Sequence, residues 1–416
     1  MDFRREWFPA VFIAGTLALA TGLLLLLHLL CQRDVVLHNR AFLGLDYDAF
    51  YKASASLVEG GSPYDSPRYV TPPLPALINA PLTSLPFKTA AILVSAGVLF
   101  ATIVGVALAA RSLRPDSGGE FLAVAGSLLI TIFLSYPVYF LFDRGNIDGF
   151  ILCLMCGSLA AGASGKRAAF LPCAAGLLLA CAVSSKIYPV LLAIPFTLYK
   201  RWAALAWAAA FQIAFILIRP SYWMDFYRGA FVWRVNFYTH EENGSIVSAV
   251  RWSGQLAEFL LSKAGAPLRF SESLDVAAYA LYAFLLGMMA VTDFKRKRMA
   301  DKQEFYACAL FYLPFMAAIP KVSYHYELVL LLALIPSVCY LWPRSNDCWT
   351  TAALMLITLG IAVSQMQATA LEKLTGNGAF YSIPGFGLLL SMVGCATYRL
   401  RGYWLESKSQ LRHLVY

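Results

Sequence analysis

Twelve apolar runs separated by polar breaks leave this chain few ways to fold. They cover approximately 8 to 31, 89 to 110, 120 to 142, 147 to 164, 168 to 185, 187 to 199, 202 to 219, 273 to 292, 303 to 319, 326 to 342, 348 to 367 and 379 to 398. A helix needs about 20 apolar residues to cross the hydrocarbon of a bilayer. Within lipid the backbone must also satisfy its own hydrogen bonds. The expected fold is therefore an all-α polytopic membrane protein with about 12 transmembrane helices, eleven to thirteen allowing for insecure boundaries. The run at 187 to 199 is short and contains Pro189 and Pro195, so a broken helix is expected there. Composition agrees: 59% of the 416 residues are hydrophobic and 14% charged, against roughly 45–50% and 25% in soluble domains.

Basic residues set the expected orientation, because short cytoplasmic loops are enriched in Lys and Arg. Alternate loops hold Arg4 and Arg5, Arg111 and Arg114, Lys166 and Arg167, Lys200 and Arg201, Lys295 to Arg298, Arg344, and Arg399 with Arg401. Both termini are thus expected in the cytoplasm, with residues 1–416 forming a single integral domain of the cytoplasmic (inner) membrane. The formal net charge of +9 falls on the inner side. Topology accounts for it, and no basic stripe with interleaved aromatics argues for a nucleic-acid partner. The first run follows Arg4-Arg5 as a signal would, but it is long and lacks a clear small-residue exit, so it reads as a retained signal anchor. Cys153 and Cys156 sit one helical turn apart without partner histidines, which favours packing over metal binding.

Two outer segments are too long to be simple connections, 32–88 and 220–272. The first passes through Gly60-Gly61-Ser62-Pro63-Tyr64 and Thr71-Pro72-Pro73-Leu74-Pro75, which suits short helices lying on the outer membrane surface between rigid turns. The inner loops are short, and no Walker loop or dinucleotide fingerprint is present, which argues against an ATP-driven pump. No convincing internal repeat supports a secondary transporter.

Charges at the ends of membrane helices are costly unless paired or wetted, which marks them as functional candidates. Five groups fall on the outer side: Asp46 with Asp48; Asp143, Arg144, Asn146 and Asp148; Lys186 with Tyr188; Glu241, Glu242 and Asn243; and Lys321, Tyr324, His325 and Glu327. Cations, carboxylates and a histidine at a membrane surface suit a phosphate-bearing lipid. The cations would hold the anionic head, and a carboxylate would take a proton from an incoming hydroxyl. That is sugar transfer from a lipid phosphate. Plainer roles stand beside these: Asp48 can pair with Lys52 four residues on, Lys186 can snorkel, and Arg144 can pair with Asp143 or Asp148.

Taken in order, the motifs resemble the polyprenyl-phosphate-mannose-dependent mannosyltransferases of glycosyltransferase family 87, within the GT-C superfamily. Asp46-Tyr47-Asp48-Ala49-Phe50-Tyr51-Lys52-Ala53 with Gly61-Ser62-Pro63-Tyr64 is similar to the family's first outer loop. Tyr69 to Leu74 is similar to its Tyr-x-Tyr-Pro-Pro-Leu element, and Ser185-Lys186-Ile187-Tyr188-Pro189 to its Lys-x-x-Pro helix. Asn243-Gly244-Ser245 and Ser323-Tyr324-His325 fall where the family has Asn-x-Ser and Ser-x-x-His. Arg144-Gly145-Asn146 stands where many members have Gly-Gln-x-Asn.

The resemblance implies Asp46 as general base, Lys186 at the donor phosphate and His325 near donor or acceptor. Arg144 joins Lys186 as a candidate phosphate contact, and Tyr51, Tyr64, Asn146, Asn243 and Tyr324 join His325 as candidate substrate contacts. No dedicated metal site and no cofactor are expected. The implied activity moves a hexose, mannose by family, from a polyprenyl-phosphate donor to the hydroxyl of a glycolipid, glycan or other acceptor, on the outer face and with inversion. The competing expectations are a carrier or flippase for a lipid-linked anionic glycan, and a scaffold subunit with a degenerate site. A carrier would place charges at mid-bilayer depth, whereas the five groups gather at one boundary.

Overall fold

A computed structural model describes residues 3–31, 44–66, 68–113, 118–163, 170–228, 274–295, 302–318, 325–345, 347–366 and 383–415, with five isolated positions between 247 and 261. The described elements are all helical. Helix α1 is Phe3–Cys31; α2 (Tyr47–Val58) and α3 (Leu74–Asn79) come next, and α4 follows at Phe87–Ser112. Next come α5 (Gly118–Leu134), α6 (Tyr136–Arg144), α7 (Asp148–Ala163) and α8 (Phe170–Ser185). The middle of the chain forms α9 (Ala193–Leu198), α10 (Trp202–Ile218) and α11 (Pro220–Asp225). The remainder is α12 (Asp275–Lys295), α13 (Lys302–Leu310), α14 (Leu313–Ala318), α15 (Leu334–Leu341), α16 (Cys348–Ser364) and α17 (Ile383–Val415).

Each of the twelve apolar runs coincides with a helix or a broken pair of helices, but the lengths differ from the expectation. Among the described residues, four helical stretches are long and apolar enough to cross a membrane: Phe87–Ser112, Val276–Lys295, Glu327–Arg344 and Ile383–Leu405. Two bent pairs raise the number to six. Residues 148–163, 170–185, 188–198 and 348–364 form apolar helices of 10–17 residues, shorter than a full crossing. The chain is a multi-pass helical membrane protein whose span count is not fixed by helix length.

The breaks have local causes. Ser135 leaves the helical region between α5 and α6 with ψ 117°, its side chain caps the Val138 amide, and Pro137 occupies the first turn. The bend there is 61°. At Arg219 the backbone opens to φ −149° ahead of Pro220, and the chain turns by 99°. Between 187 and 199 the expected break appears as a 3₁₀ turn, Tyr188–Leu192, running into α9.

Burial is uneven across the spans. The Glu327–Arg344 stretch is 83% buried within the protein, whereas Val276–Lys295 is only 28% buried. The former is the centre of the bundle, and its first turn carries Glu327. Helices α16 and α17 pack through backbone contact: a Cβ on Gly387 would lie 2.5 Å from the Ser364 nitrogen. Small residues give such membrane helices their close approach.

Candidate active site

Asp46 precedes α2, the position at which an aspartate ordinarily accepts hydrogen bonds from the first-turn amides. Its side chain makes no such bond. Its carboxylate turns instead to the loop after α6, where Asn146 Nδ2 donates to Oδ2 at 3.2 Å and Arg144 Nη1 lies 3.5 Å from Oδ1. Backbone bonds hold the two loops together: the Gly44 amide donates to the Asp143 carbonyl at 2.7 Å, and the Asp46 amide to the Arg144 carbonyl at 3.0 Å. Gly145 makes that approach possible. Its φ is +63°, and a Cβ there would stand 2.9 Å from the Tyr47 Cβ. Only glycine occupies such a turn without strain.

The other half of the site lies at the start of α7. The Asp148 amide donates to Asn146 Oδ1 at 3.3 Å, so Asn146 bridges the Asp46 carboxylate and the first residue of α7. The Asp148 side chain accepts from Lys186 Nζ at 2.7 Å and from the Tyr188 hydroxyl. Glu327 Oε1 approaches the same ammonium at 3.7 Å. Two carboxylates, Asp148 and Glu327, therefore flank Lys186, while Arg144 and Asn146 face Asp46.

The Asp46 side chain keeps 24% of its surface open, with protein on its remaining sides. Burial pushes its carboxyl above the ordinary 3.8, against the pull of Arg144, the Asn146 hydrogen bond and Lys186. A raised carboxyl beside an opening suits a proton acceptor better than a permanent counter-ion does.

The expected site residues divide. Asp46, Arg144, Asn146 and Lys186 come together around the α6–α7 turn. Tyr51 and Tyr64 commit their hydroxyls to backbone, Tyr51 to the Leu85 carbonyl at 2.8 Å and Tyr64 to the Thr71 carbonyl at 3.0 Å. Both brace the segment between α1 and α4. Asp48 meets Lys52 at 2.7 Å, the pairing its spacing suggested. His325 opens the 3₁₀ turn His325–Ala333, two residues before Glu327, but its side chain lies outside the described residues, as do Asn243 and Tyr324. Among the described residues no group of three or more His, Cys, Asp or Glu could hold a metal ion.

The sequence reading missed the pairing of Asp148 with Lys186. It also missed a second buried group, in which Arg399 bonds Asp293 and donates to the Tyr199 hydroxyl at 2.9 Å, while Tyr312 donates to Asp293 at 2.9 Å. Its place at the end of an apolar run puts Arg399 among the loop charges, and yet it is 1% exposed. Buried charge is thus not confined to one boundary. Partners separated by 38 residues in one case and 106 in the other carry no sequence periodicity that would reveal them.

Fold and site together define a polytopic helical membrane protein with a partly open cluster of acidic and basic side chains. The chain belongs to glycosyltransferase family 87, whose family model matches residues 69–364. Arg144, Asn146, Asp148, Lys186 and Glu327 fall within the match; Asp46 precedes it and joins the site through Arg144 and Asn146. No curated protein matches the chain. A crystal structure of ArnT from Cupriavidus metallidurans bound to undecaprenyl phosphate aligns with a TM-score of 0.39 at 11% identity, covering 93% of this chain and 78% of that one. A likeness that slight carries no argument.

Proposed function

We propose that the protein transfers a hexose, mannose by the family resemblance, from a polyprenyl phosphate to an acceptor hydroxyl, with Asp46 as general base. The observation that carries this is the Asp46 carboxylate: open on one side, unused as a helix cap, and fixed by Arg144 and Asn146 in a family 87 chain. In the reaction Asp46 takes the proton of the acceptor hydroxyl as its oxygen attacks the anomeric carbon. The bond from that carbon to the phosphate oxygen breaks on the opposite face, and its electron pair leaves with the polyprenyl phosphate. Direct displacement inverts the anomeric centre and needs a single base. Arg144 and Lys186 stabilise the charge gathering on the departing phosphate.

The same reading keeps about twelve crossings, with short helices paired or broken, both termini in the cytoplasm and the site on the outer face. It makes the bilayer, the polyprenyl-phosphate donor and a hydroxyl acceptor the protein's partners. The test is Asp46→Asn in purified enzyme with a polyprenyl-phosphate sugar. Loss of a general base lowers turnover by about 10²–10⁴-fold. Turnover within a few-fold of wild type in a folded variant contradicts the assignment. Movement of a lipid-linked glycan across vesicles without transfer would point to a carrier instead.

A further inference from the structure

We propose that Asp148 is the positioning residue of this site, fixing Lys186 toward the donor phosphate and tying it to Asp46 through Asn146. The proposal rests on the reading of Lys186 as a phosphate-holding cation.

Three observations carry it. Asp148 is fully buried, and both of its oxygens accept, one from Lys186 at 2.7 Å and one from the Tyr188 hydroxyl. A lysine side chain alone is a flexible point charge; held between Asp148 and, more loosely, Glu327 at 3.7 Å, the ammonium is confined to one place. The Asp148 amide then reaches Asn146 Oδ1, whose other side-chain atom donates to Asp46. One turn of chain therefore sets the distance between the group that would hold the leaving phosphate and the group that would accept the proton. Near-attack geometry of that kind loses rate steeply with small misplacement.

A merely structural Asp148 would neutralise Lys186 and do nothing more. A double-variant cycle separates the two roles, read by the affinity of purified protein in detergent for polyprenyl phosphate alone and by KM and kcat for a polyprenyl-phosphate hexose. Asp148→Asn should weaken polyprenyl phosphate binding about tenfold and raise the donor KM in parallel. In the Asp148→Asn background, the further change Lys186→Met should alter either quantity less than threefold, because the lysine acts only when placed. That background carries one charge fewer, so it remains informative if Lys186→Met alone fails to fold. Tyr188→Phe, which leaves Asp148 one donor, should shift binding in the same direction by a smaller factor.

Wild-type affinity in folded Asp148→Asn overturns the proposal, as does a tenfold contribution from Lys186 that persists without Asp148. Absence of any Lys186 effect on binding in an enzyme that Asp46→Asn inactivates removes this inference and leaves the transferase reading standing. Transfer-inactive wild type that still binds polyprenyl phosphate through Lys186 and Asp148 does the reverse.

Discussion

Two groups of buried charge stand at opposite ends of the segment from Lys186 to Tyr199, roughly 20 Å apart at helical rise, and they treat water differently. At the Tyr199 end, Arg399 and Asp293 have side-chain exposures of 1% and 0%, and the pair is completed by Tyr199, Tyr312 and Cys308. At the Lys186 end, Asp46, Arg144 and Lys186 keep 24%, 18% and 12%. The first group is closed on itself: Arg399 comes from α17, Asp293 from α12 and Cys308 from α13, with Tyr199 and Tyr312 in the turns that follow α9 and α13. The second is closed at Asp148 and open at Asp46. Buried pairs contribute little net stability over apolar packing but are costly to break, so the sealed group holds helices together. An acid left partly open, with its capping role unused, is where chemistry can enter.

The largest expected effect on folding falls at the sealed end. Arg399→Met strands Asp293 in the bundle and should cost about 3–5 kcal/mol, read as lost monodisperse protein or a lowered Tm. If that variant is as stable as wild type, the two ends are not different in kind.

A pH profile sharpens the open end. Because burial raises the Asp46 carboxyl above 3.8, its protonated form is favoured by folding. Its contribution to stability is present below the unfolded value and is lost as pH rises through the higher folded value. At neutral pH Asp46→Asn should therefore leave Tm unchanged or slightly raised. Activity should run the other way, since the proposed general base works only when ionised: kcat/KM should climb with pH along an acidic limb lying above 3.8. A limb below that value contradicts the environment described for Asp46.

Gly145→Ala probes the turn that joins the halves of the site. With φ at +63° and Tyr47 Cβ at 2.9 Å, the change should cost about 1–3 kcal/mol and lower kcat/KM more than its effect on Tm explains. The smallest effect belongs to Asp48→Asn. It removes an exposed pair with Lys52 worth about 0.5 kcal/mol or less, and turnover should stay within twofold of wild type.

How far the sequence discloses these regions depends on the range of each interaction. The apolar runs were legible as sustained hydrophobic stretches, and each found a helix or a broken pair, although several are shorter than bilayer thickness led one to expect. The Asp48–Lys52 pair was legible because four residues make one helical turn. Pro189 announced the broken segment at 187–199; in the run at 120–142 Pro137 carried the same signal inside what reads as one span, and the Ser135 cap with its hydrogen bond to Gln365, 230 residues away, was not legible. Asp46 stood out by its motif, and Lys186 by its place at the end of an apolar run and in Lys-x-x-Pro. What they touch was not legible: Asp148 looked like an acid for Arg144 and proved to belong to Lys186, because only the packing of α7 against α8 brings residue 148 to residue 186. Arg399 misled for a related reason, since a basic residue near the end of an apolar run reads as loop charge until a neighbouring helix supplies its carboxylate.

The separation of a chemical end from a structural end is tested most directly by carrying Asp46→Asn and Arg399→Met through one preparation, measuring kcat/KM with a polyprenyl-phosphate hexose and Tm on the same samples. The expected result is a crossed pattern: Asp46→Asn loses about 10²–10⁴-fold in activity at wild-type Tm, and Arg399→Met loses stability while whatever folds retains a wild-type kcat/KM. Asp46→Asn that transfers sugar at the wild-type rate, or that loses activity only in proportion to lost folded protein, contradicts it.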